Sequence, residues 1–212
     1  MLQILIADDH PVVRQGIMRI IEDTRDMKVT AEAENGIEVL KKVRENNIDV
    51  VLLDISMPDR DGLDTVRDLK KLKPELPILV LTMHPEKYYG LRMIQAGASG
   101  YVTKQNAPFQ LVEAIRKVTS GGMYISDSLA ELLAASKKSK TNKKEEYGAL
   151  SDREYQVMGM IAQGKKVKAI AEELCISVKT VHVHRRHILE KLNMSSNAEI
   201  IHYAIQNGLV EG

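Results

Sequence analysis

Short apolar runs alternate with longer amphipathic segments through the first part of the chain. Runs of strand length, rich in branched side chains, occupy residues 2–7, 29–33, 48–53, 78–81 and 100–102. Between them, apolar residues at helical spacing predict helices that begin at Pro11 and that span residues 37–45, 63–71, 86–96 and 108–120. Continuous apolar runs are typical of strands buried on both faces of a parallel sheet. The alternation predicts an α/β, doubly wound, five-stranded parallel sheet.

The last part of the chain shows helical periodicity instead. One helix is predicted to follow Ser151, with Glu154 placed three residues on as in a capping box. Further helices are predicted over residues 167–174, 178–192 and 196–207, the last closed by Gly208. Two short helices and a tight turn at Cys175-Ile176-Ser177, followed by a basic helix, predict a helix-turn-helix in an all-α four-helix domain.

The segment between these two patterns has its own composition. A short helix is predicted over residues 128–135, and the lysine-rich run from Lys137 to Glu146 has no apolar periodicity. Such a run is typical of a solvated, flexible tether, and nonspecific contact with DNA phosphates is the alternative. We therefore expect a first domain over residues 1–122, a linker over 123–148 and a second domain over 149–212.

Composition narrows the class of protein. With 212 residues, 44% hydrophobic and 28% charged, the chain has globular values and room for two modest domains. Its net charge of +1 conceals many acids in residues 1–60 and many lysines and arginines in 137–191, so the second half is expected to meet a polyanion. A single cysteine excludes internal disulfides and favours a reducing compartment. We see no signal peptide or membrane-length apolar run, and expect a cytoplasmic protein without a membrane partner.

Polar residues of distinct kinds follow four of the predicted strands: Asp8-Asp9, Asp54, Thr82 and Lys104. The carboxyl ends of parallel strands meet at one edge of a sheet, where ligands bind. Three carboxylates gathered there repel one another unless a cation joins them, and hard oxygen ligands suit Mg²⁺. A carboxylate beside Mg²⁺ can attack phosphorus, while an ammonium and a hydroxyl can contact the phosphoryl oxygens. Taken alone, Asp54 would more often cap the next turn.

An ordered set of motifs resembles the receiver domain of response regulators. The matching pieces are Asp8-Asp9-His10, Leu53-Asp54, Met57-Pro58, Asp61-Gly62, Leu81-Thr82, Ala96-Gly97-Ala98 and Gly100-Tyr101-Val102-Thr103-Lys104. The resemblance implies a flavodoxin-like fold and transfer of phosphate to Asp54 from a sensor histidine kinase. It also implies that Asp9, Asp54 and the backbone carbonyl of Ser56 bind Mg²⁺ with help from Asp8. Thr82 and Tyr101 would form a switch, and Lys104 would pair with the phosphoryl group.

Two positions depart from the receiver pattern. Gln105 stands where many receivers carry proline after the lysine, so we expect a trans peptide there. Asp59-Arg60 adds charge to the loop that follows Met57. We interpret this dipeptide as a solvated turn, and an effect on the lifetime of the phosphoryl group is the alternative.

The third helix of the second domain is strongly basic. It carries Lys179, His182, His184, Arg185, Arg186, His187 and Lys191, with Val181, Ile188, Leu189 and Leu192 expected to face the other helices. For one charged helix, a solvated face is the simplest interpretation. Metal binding by the three histidines is disfavoured, because positions two and five apart do not share one helical face. A recognition helix in the major groove of DNA would account for the same residues.

The surrounding motifs resemble the LuxR-type DNA-binding domain. They are Leu150-Ser151-Asp152-Arg153-Glu154, Ile161-Ala162-Gln163-Gly164, Ile170-Ala171-Glu172-Glu173-Leu174, Ile176-Ser177-Val178-Lys179-Thr180-Val181, Ile188-Leu189-Glu190-Lys191-Leu192 and Gly208-Leu209-Val210. The resemblance implies base contacts by His182, Val183 and Arg186, and dimer packing through the fourth helix. It implies phosphate contacts by Lys179, Thr180, His184 and Arg185. Lys166-Val167 replaces a cap-forming Ser-Asn pair, and losing such a cap costs about 1 kcal/mol.

Together the two resemblances imply a NarL/FixJ-type response regulator. Such a protein is a transcriptional regulator rather than an enzyme; it binds double-stranded DNA as a homodimer when phosphorylated, with RNA polymerase as a further candidate partner. One alternative is a phosphatase, which needs a second acid at a spacing that the sequence lacks. Another is a phosphorylation-independent DNA-binding regulator whose receiver is vestigial.

Overall fold

The computed structural model describes residues 1–84, 86–138, 150–174 and 176–206, without the side chains of residues 87, 88, 135–138, 152 and 206. Most of the lysine-rich tether, Cys175 and the predicted helix end at Gly208 lie outside the described residues. The chain divides into two compact units, Met1–Ser139 and Lys140–Gly212. Each unit is described by itself.

The first unit is built on a parallel sheet, as predicted. Its strands are β1 (Leu2–Ala7), β2 (Met27–Ala33), β3 (Val50–Leu53), β4 (Ile78–Thr82) and β5 (Gly100–Thr103), in the order β2-β1-β3-β4-β5. The helices between and after them are α1 (Pro11–Glu22), α2 (Gly36–Glu45), α3 (Gly62–Leu72), α4 (Glu86–Ala96) and α5 (Ala107–Thr119). The prediction of a five-stranded doubly wound domain is confirmed.

The central strand β3 is buried, and its pairing with β1 and β4 sets where the site residues meet. All four residues of β3 are buried, which is the pattern expected of a strand covered on both faces. Leu53 pairs with Ala7 of β1 and with Val80 of β4. Since Asp8 and Asp54 directly follow Ala7 and Leu53, this register places both carboxylates at the same edge of the sheet.

The segment after α5 packs back onto the first unit. Tyr124 forms a parallel bridge with Gly100, and its carbonyl accepts a hydrogen bond from the backbone N–H of Tyr101 at 2.9 Å. The short helix predicted in the linker is present as α6 (Asp127–Lys138), and it packs on α4. Leu129 of α6 is 2% exposed and fills the space left by Gly90, where an added Cβ would lie 2.7 Å from Leu129 Cδ2. This helix therefore belongs to the first unit.

The second unit consists of α7 (Asp152–Ala162), α8 (Val167–Glu173), α9 (Val178–Lys191) and α10 (Asn197–Gln206), in agreement with the predicted helices. Its core contains Val157, Met158, Ile170, Val181, Ile188, Ile200 and Ala204, all without exposed surface. The predicted capping box is present, because Ser151 N donates to Glu154 Oε2 at 2.8 Å and Glu154 N donates to Ser151 Oγ at 3.3 Å. Within the described residues, Lys166 precedes α8 without a side-chain capping bond, as expected.

No helix in the described part of the chain combines the length and the apolar character needed to cross a membrane.

Gly62 lies in close packing just after β3, whereas Gly16 of α1 has open space around it, so the two positions predict opposite effects of an added methyl group. A Cβ added at Gly62 would lie 2.6 Å from Ile55 Cβ and 2.7 Å from its Cα, so Gly62→Ala should lower the free energy of unfolding by about 1–3 kcal/mol. Gly16, in the middle of α1, has open space around the same position, so Gly16→Ala should raise it by about 0.5–1 kcal/mol. Urea denaturation of both variants checks the pair, and equal effects would contradict it.

Candidate functional site

An acidic cluster lies at the carboxyl edge of the sheet. Asp8, Asp9, His10 and Asp54 each offer one ligand atom, and these atoms all lie within 4.8 Å of one another. Asp8 and Asp54 are 1% and 2% exposed, whereas the side chain of Asp9 is 30% exposed. The sequence-predicted carboxylates are therefore together, two of them buried and one partly exposed.

Lys104 lies between the two buried carboxylates. Its Nζ is 2.6 Å from Asp8 Oδ2 and 2.7 Å from Asp54 Oδ2. Burial by itself lowers the pKa of Lys104, but the charges and hydrogen bonds of Asp54 and Asp8 outweigh it, so that the pKa is raised. The lysine is therefore a fixed cation. Its backbone N–H donates to the Thr82 carbonyl at 2.8 Å, and the described residues contain no cis peptide, as expected with Gln105.

The donor set fits a hard divalent cation. Three carboxylates face a single ammonium group, which leaves excess negative charge at a partly buried site. Mg²⁺ favours a few carboxylate oxygens and retains water in its remaining positions, and the exposed side of Asp9 leaves room for water. The loop after Asp54 is also held in place, because Ser56 N donates to Asp54 Oδ1 at 3.0 Å.

The predicted switch residues meet at His84. Thr82 is fully buried, and the backbone N–H of His84 donates to its Oγ1 at 3.4 Å. Tyr101 is 4% exposed, and its hydroxyl donates to the His84 carbonyl at 3.0 Å. The His84 ring lies 3.1 Å, through Nε2, from Ser56 Oγ. Sequence reasoning missed His84, although its position two residues after Thr82 placed it at the same sheet edge.

The interpretation of Asp59-Arg60 as a solvated turn needs correction at Arg60. The Arg60 guanidinium bonds the carboxylate of Asp68 in α3, and its side chain is 31% exposed. Its Cβ also lies 3.0 Å from where a Cβ on Gly36 would be. Asp59 alone retains the character of a turn, since it is exposed and has a φ of 69°.

Three cationic or polar side chains share the open face of α9. Lys179, His182 and Arg186 are exposed, and their spacing of three and four residues places them on one side of the helix. The other predicted DNA-contacting residues, Thr180, Val183, His184 and Arg185, are partly buried. Arg185 donates from Nε to Asn197 Oδ1 at 2.6 Å, which ties it to the start of α10. Burial lowers the pKa of His184 and so favours its neutral form.

A buried glutamate pairs with two partly exposed basic residues of α9. Glu154 is 3% exposed and lies 2.7 Å from Lys191 Nζ and 3.4 Å from His187 Nδ1. Burial raises the pKa of Glu154, but the bonds from Lys191 and Ser151 have the larger, opposite effect. The pKa is therefore lowered overall, and the carboxylate stays charged. The side chains of His187 and Lys191 are 41% and 40% exposed, so these two basic residues of α9 reach solvent and also pair with Glu154.

Both units match known protein families. Residues 4–116 match the response regulator receiver domain, and residues 148–204 match the luxR family of bacterial regulatory proteins. Response regulator UvrY of Escherichia coli K12 is 41% identical over 209 residues, which cover 99% of this chain and 96% of UvrY. Response regulator GacA of Pseudomonas aeruginosa PAO1 is 38% identical over 211 residues, with 100% and 99% coverage.

Solved structures give the same result. RcsB of Salmonella typhimurium matches with a TM-score of 0.61 and 28% identity over 96% of this chain and 98% of RcsB. RcsB bound to promoter P1flhDC in the presence of the phosphomimetic BeF3⁻ matches with a TM-score of 0.58 and 28% identity, covering 95% and 97% of the two chains.

Lys104 should stabilise the first unit by pairing with the buried carboxylates of Asp8 and Asp54. Lys104→Met leaves Asp8 and Asp54 buried without their shared cation, so in the absence of divalent ions the free energy of unfolding should fall by about 3–5 kcal/mol. Mg²⁺ should restore part of that loss by supplying positive charge. Lys71→Met, which removes an exposed lysine paired with Asp68, is the matched control and should change little. Thermal or urea unfolding with and without MgCl₂ measures this, and equal stability of the two variants would contradict it.

Proposed function

The chain belongs to the NarL/FixJ family of two-component response regulators, and we propose that Asp54 is the residue that receives phosphate from a sensor histidine kinase. The protein is a phosphorylation-dependent, DNA-binding transcription regulator. The observation that carries the proposal is the position of Asp54, a buried carboxylate 2.7 Å from the Lys104 ammonium and beside Asp8 and Asp9. The presence of this complete set argues against a vestigial receiver.

The groups around Asp54 suit an attack on phosphorus. A carboxylate oxygen of Asp54 forms the new P–O bond as the bond from phosphorus to the kinase histidine breaks. Lys104, already in contact with Asp54, pairs with one phosphoryl oxygen, and the Thr82 hydroxyl donates to another. We assign Mg²⁺ to Asp9, Asp54 and the Ser56 carbonyl, with Asp8 assisting. When bound, the metal supplies positive charge that offsets the charge of the phosphoryl group.

The described face of α9 supports DNA recognition in the major groove. We assign base contacts to His182, Val183 and Arg186 and phosphate contacts to Lys179, Thr180, His184 and Arg185. Arg185 must exchange its bond with Asn197 for a phosphate, and His184 acts as a neutral hydrogen-bonding group near pH 7.

The oligomeric state and location follow from the same proposal. RcsB, which resembles this chain over both units, has been solved as two dimers bound to two parallel DNAs, and we propose a homodimer as the DNA-binding form here. A regulator of transcription acts where the chromosome is, so we propose the cytoplasm of a bacterial cell. No turnover of a separate substrate is proposed for the chain.

Phosphorylation should be lost with Asp54. Incubation with acetyl phosphate and Mg²⁺ should add one phosphoryl group and tighten binding to target DNA by about tenfold, within the usual range of coupling between two sites. Asp54→Asn should abolish both effects, because an amide is a poor nucleophile. Asp64→Asn, at an exposed acid on α3, is the matched control and should behave as the wild type. Intact-protein mass and electrophoretic mobility shift report the two effects; a response that survives Asp54→Asn would reject the assignment.

Different residues on the open face of α9 should control DNA affinity and base specificity. Lys179→Ala removes a phosphate contact, so it should weaken binding to every sequence and reduce the slope of log affinity against log salt by about 1. Arg186→Ala should cost about 1–3 kcal/mol and relax discrimination at one base position. Lys41→Ala, at an exposed lysine of α2, is the control. Binding isotherms at several salt concentrations test this, and identical profiles for all three variants would contradict it.

A further inference from the structure

Two of the three site carboxylates lie on one short turn. Asp8 and Asp9 follow β1, and α1 begins at Pro11. Within the described residues, His10 precedes α1 without a side-chain capping bond. The turn is held instead through Asp8, whose N–H donates to the Ala33 carbonyl at 3.1 Å and whose Oδ1 accepts from His10 N at 2.9 Å. The orientation of both acids therefore depends on how the Asp8 peptide is fixed.

Arg14 of α1 supplies the contact on the other side of that peptide. It is 8% exposed, and its Nη1 donates to the Asp8 carbonyl at 2.6 Å. The same guanidinium donates from Nε to Glu32 Oε2 at 3.0 Å and from Nη2 to Glu34 Oε1 at 2.7 Å. A planar fork with five donors can serve three acceptors at once, which the single ammonium of lysine cannot do in the same geometry. Arg14 thus joins the end of β1, the first turns of α1 and the end of β2.

We propose that Arg14 is a positioning residue for cation binding at Asp8 and Asp9, acting through the Asp8 carbonyl. This inference rests on the proposed function, because it assumes that these acids hold Mg²⁺. Small shifts matter at such a site, since Mg²⁺ requires nearly ideal octahedral geometry and tolerates displaced ligands poorly. Outer contacts that orient metal ligands commonly affect affinity by 10- to 100-fold. The two glutamates keep the guanidinium in one orientation, so they contribute indirectly.

A purely structural role would give a different result. If Arg14 only fastened α1 to β2, its removal would lower stability by the same amount with and without Mg²⁺ and leave the affinity for Mg²⁺ unchanged. A positioning role predicts weaker Mg²⁺ binding in a folded protein. It also predicts that the rate of phosphorylation by acetyl phosphate returns close to the wild-type value when Mg²⁺ is saturating, because the nucleophile and Lys104 are untouched.

The test is a titration of the full chain with MgCl₂ in the absence of a phosphodonor. Changes in the amide NMR shifts report the binding of Mg²⁺. Arg14→Met should raise the dissociation constant for Mg²⁺ by about tenfold or more. Arg14→Lys should give a smaller increase, since it keeps the charge but loses the fork. Glu34→Gln leaves the Asp8 contact intact and removes an exposed partner of the guanidinium, so it should give the smallest increase. Arg116→Met removes an arginine paired with Asp26 in the same unit and should not alter Mg²⁺ affinity.

Each outcome bears on the proposal. Wild-type affinity in a folded Arg14→Met protein overturns the positioning role and leaves the proposed function standing. If Arg14→Met fails to fold, Arg14→Lys and Glu34→Gln decide, and unchanged affinity in both overturns the role. A wild-type chain that binds no Mg²⁺ overturns the positioning role together with the metal assignment beneath it.

Discussion

A single buried ammonium group organises the edge of the sheet. Lys104 contacts Asp8 and Asp54, which come from β1 and β3, and it follows β5 itself. Such a triad is costly to desolvate, and removing one member would leave charge buried without a partner. The parallel register that aligns Ala7 with Leu53 is therefore a requirement for the charges, and the charges in turn favour that register. Fold and chemistry are coupled at this point.

The second unit uses a buried charge in a similar way for another purpose. Glu154 forms part of the capping box at the start of α7. Its carboxylate also pairs with Lys191 and lies close to His187, both of α9. One carboxylate thus caps the start of α7 and also ties α7 to α9. The spacing of Lys179, His182 and Arg186 places them together on one side of α9, and all three are exposed.

Elements and strand-end residues could be predicted from sequence because their signals are local. Apolar runs gave the strands, and the alignment of parallel strand ends explains why Asp8, Asp54 and Lys104 meet. Contacts that depend on orientation across the fold were not visible. Arg14 looks like an ordinary helix residue until its guanidinium is seen at the Asp8 carbonyl, and the pairing of the exposed Lys191 with a buried carboxylate is seen only when Glu154 is located. The packing of α6 likewise depends on the missing side chain of Gly90, which periodicity does not report.

The path by which the chain leaves the first unit has a mechanical consequence. The peptide N–H of Tyr101 is bonded to Tyr124, and its hydroxyl is bonded to the backbone at His84. A few residues later, Leu129 occupies the hollow above Gly90 on α4. The backbone of Tyr101, beside the acidic edge, is thus connected by a hydrogen bond to the segment that precedes α6. Because Tyr124 is bonded to the strand that carries Tyr101 and Leu129 packs against Gly90, the segment after α5 depends for its support on both β5 and α4.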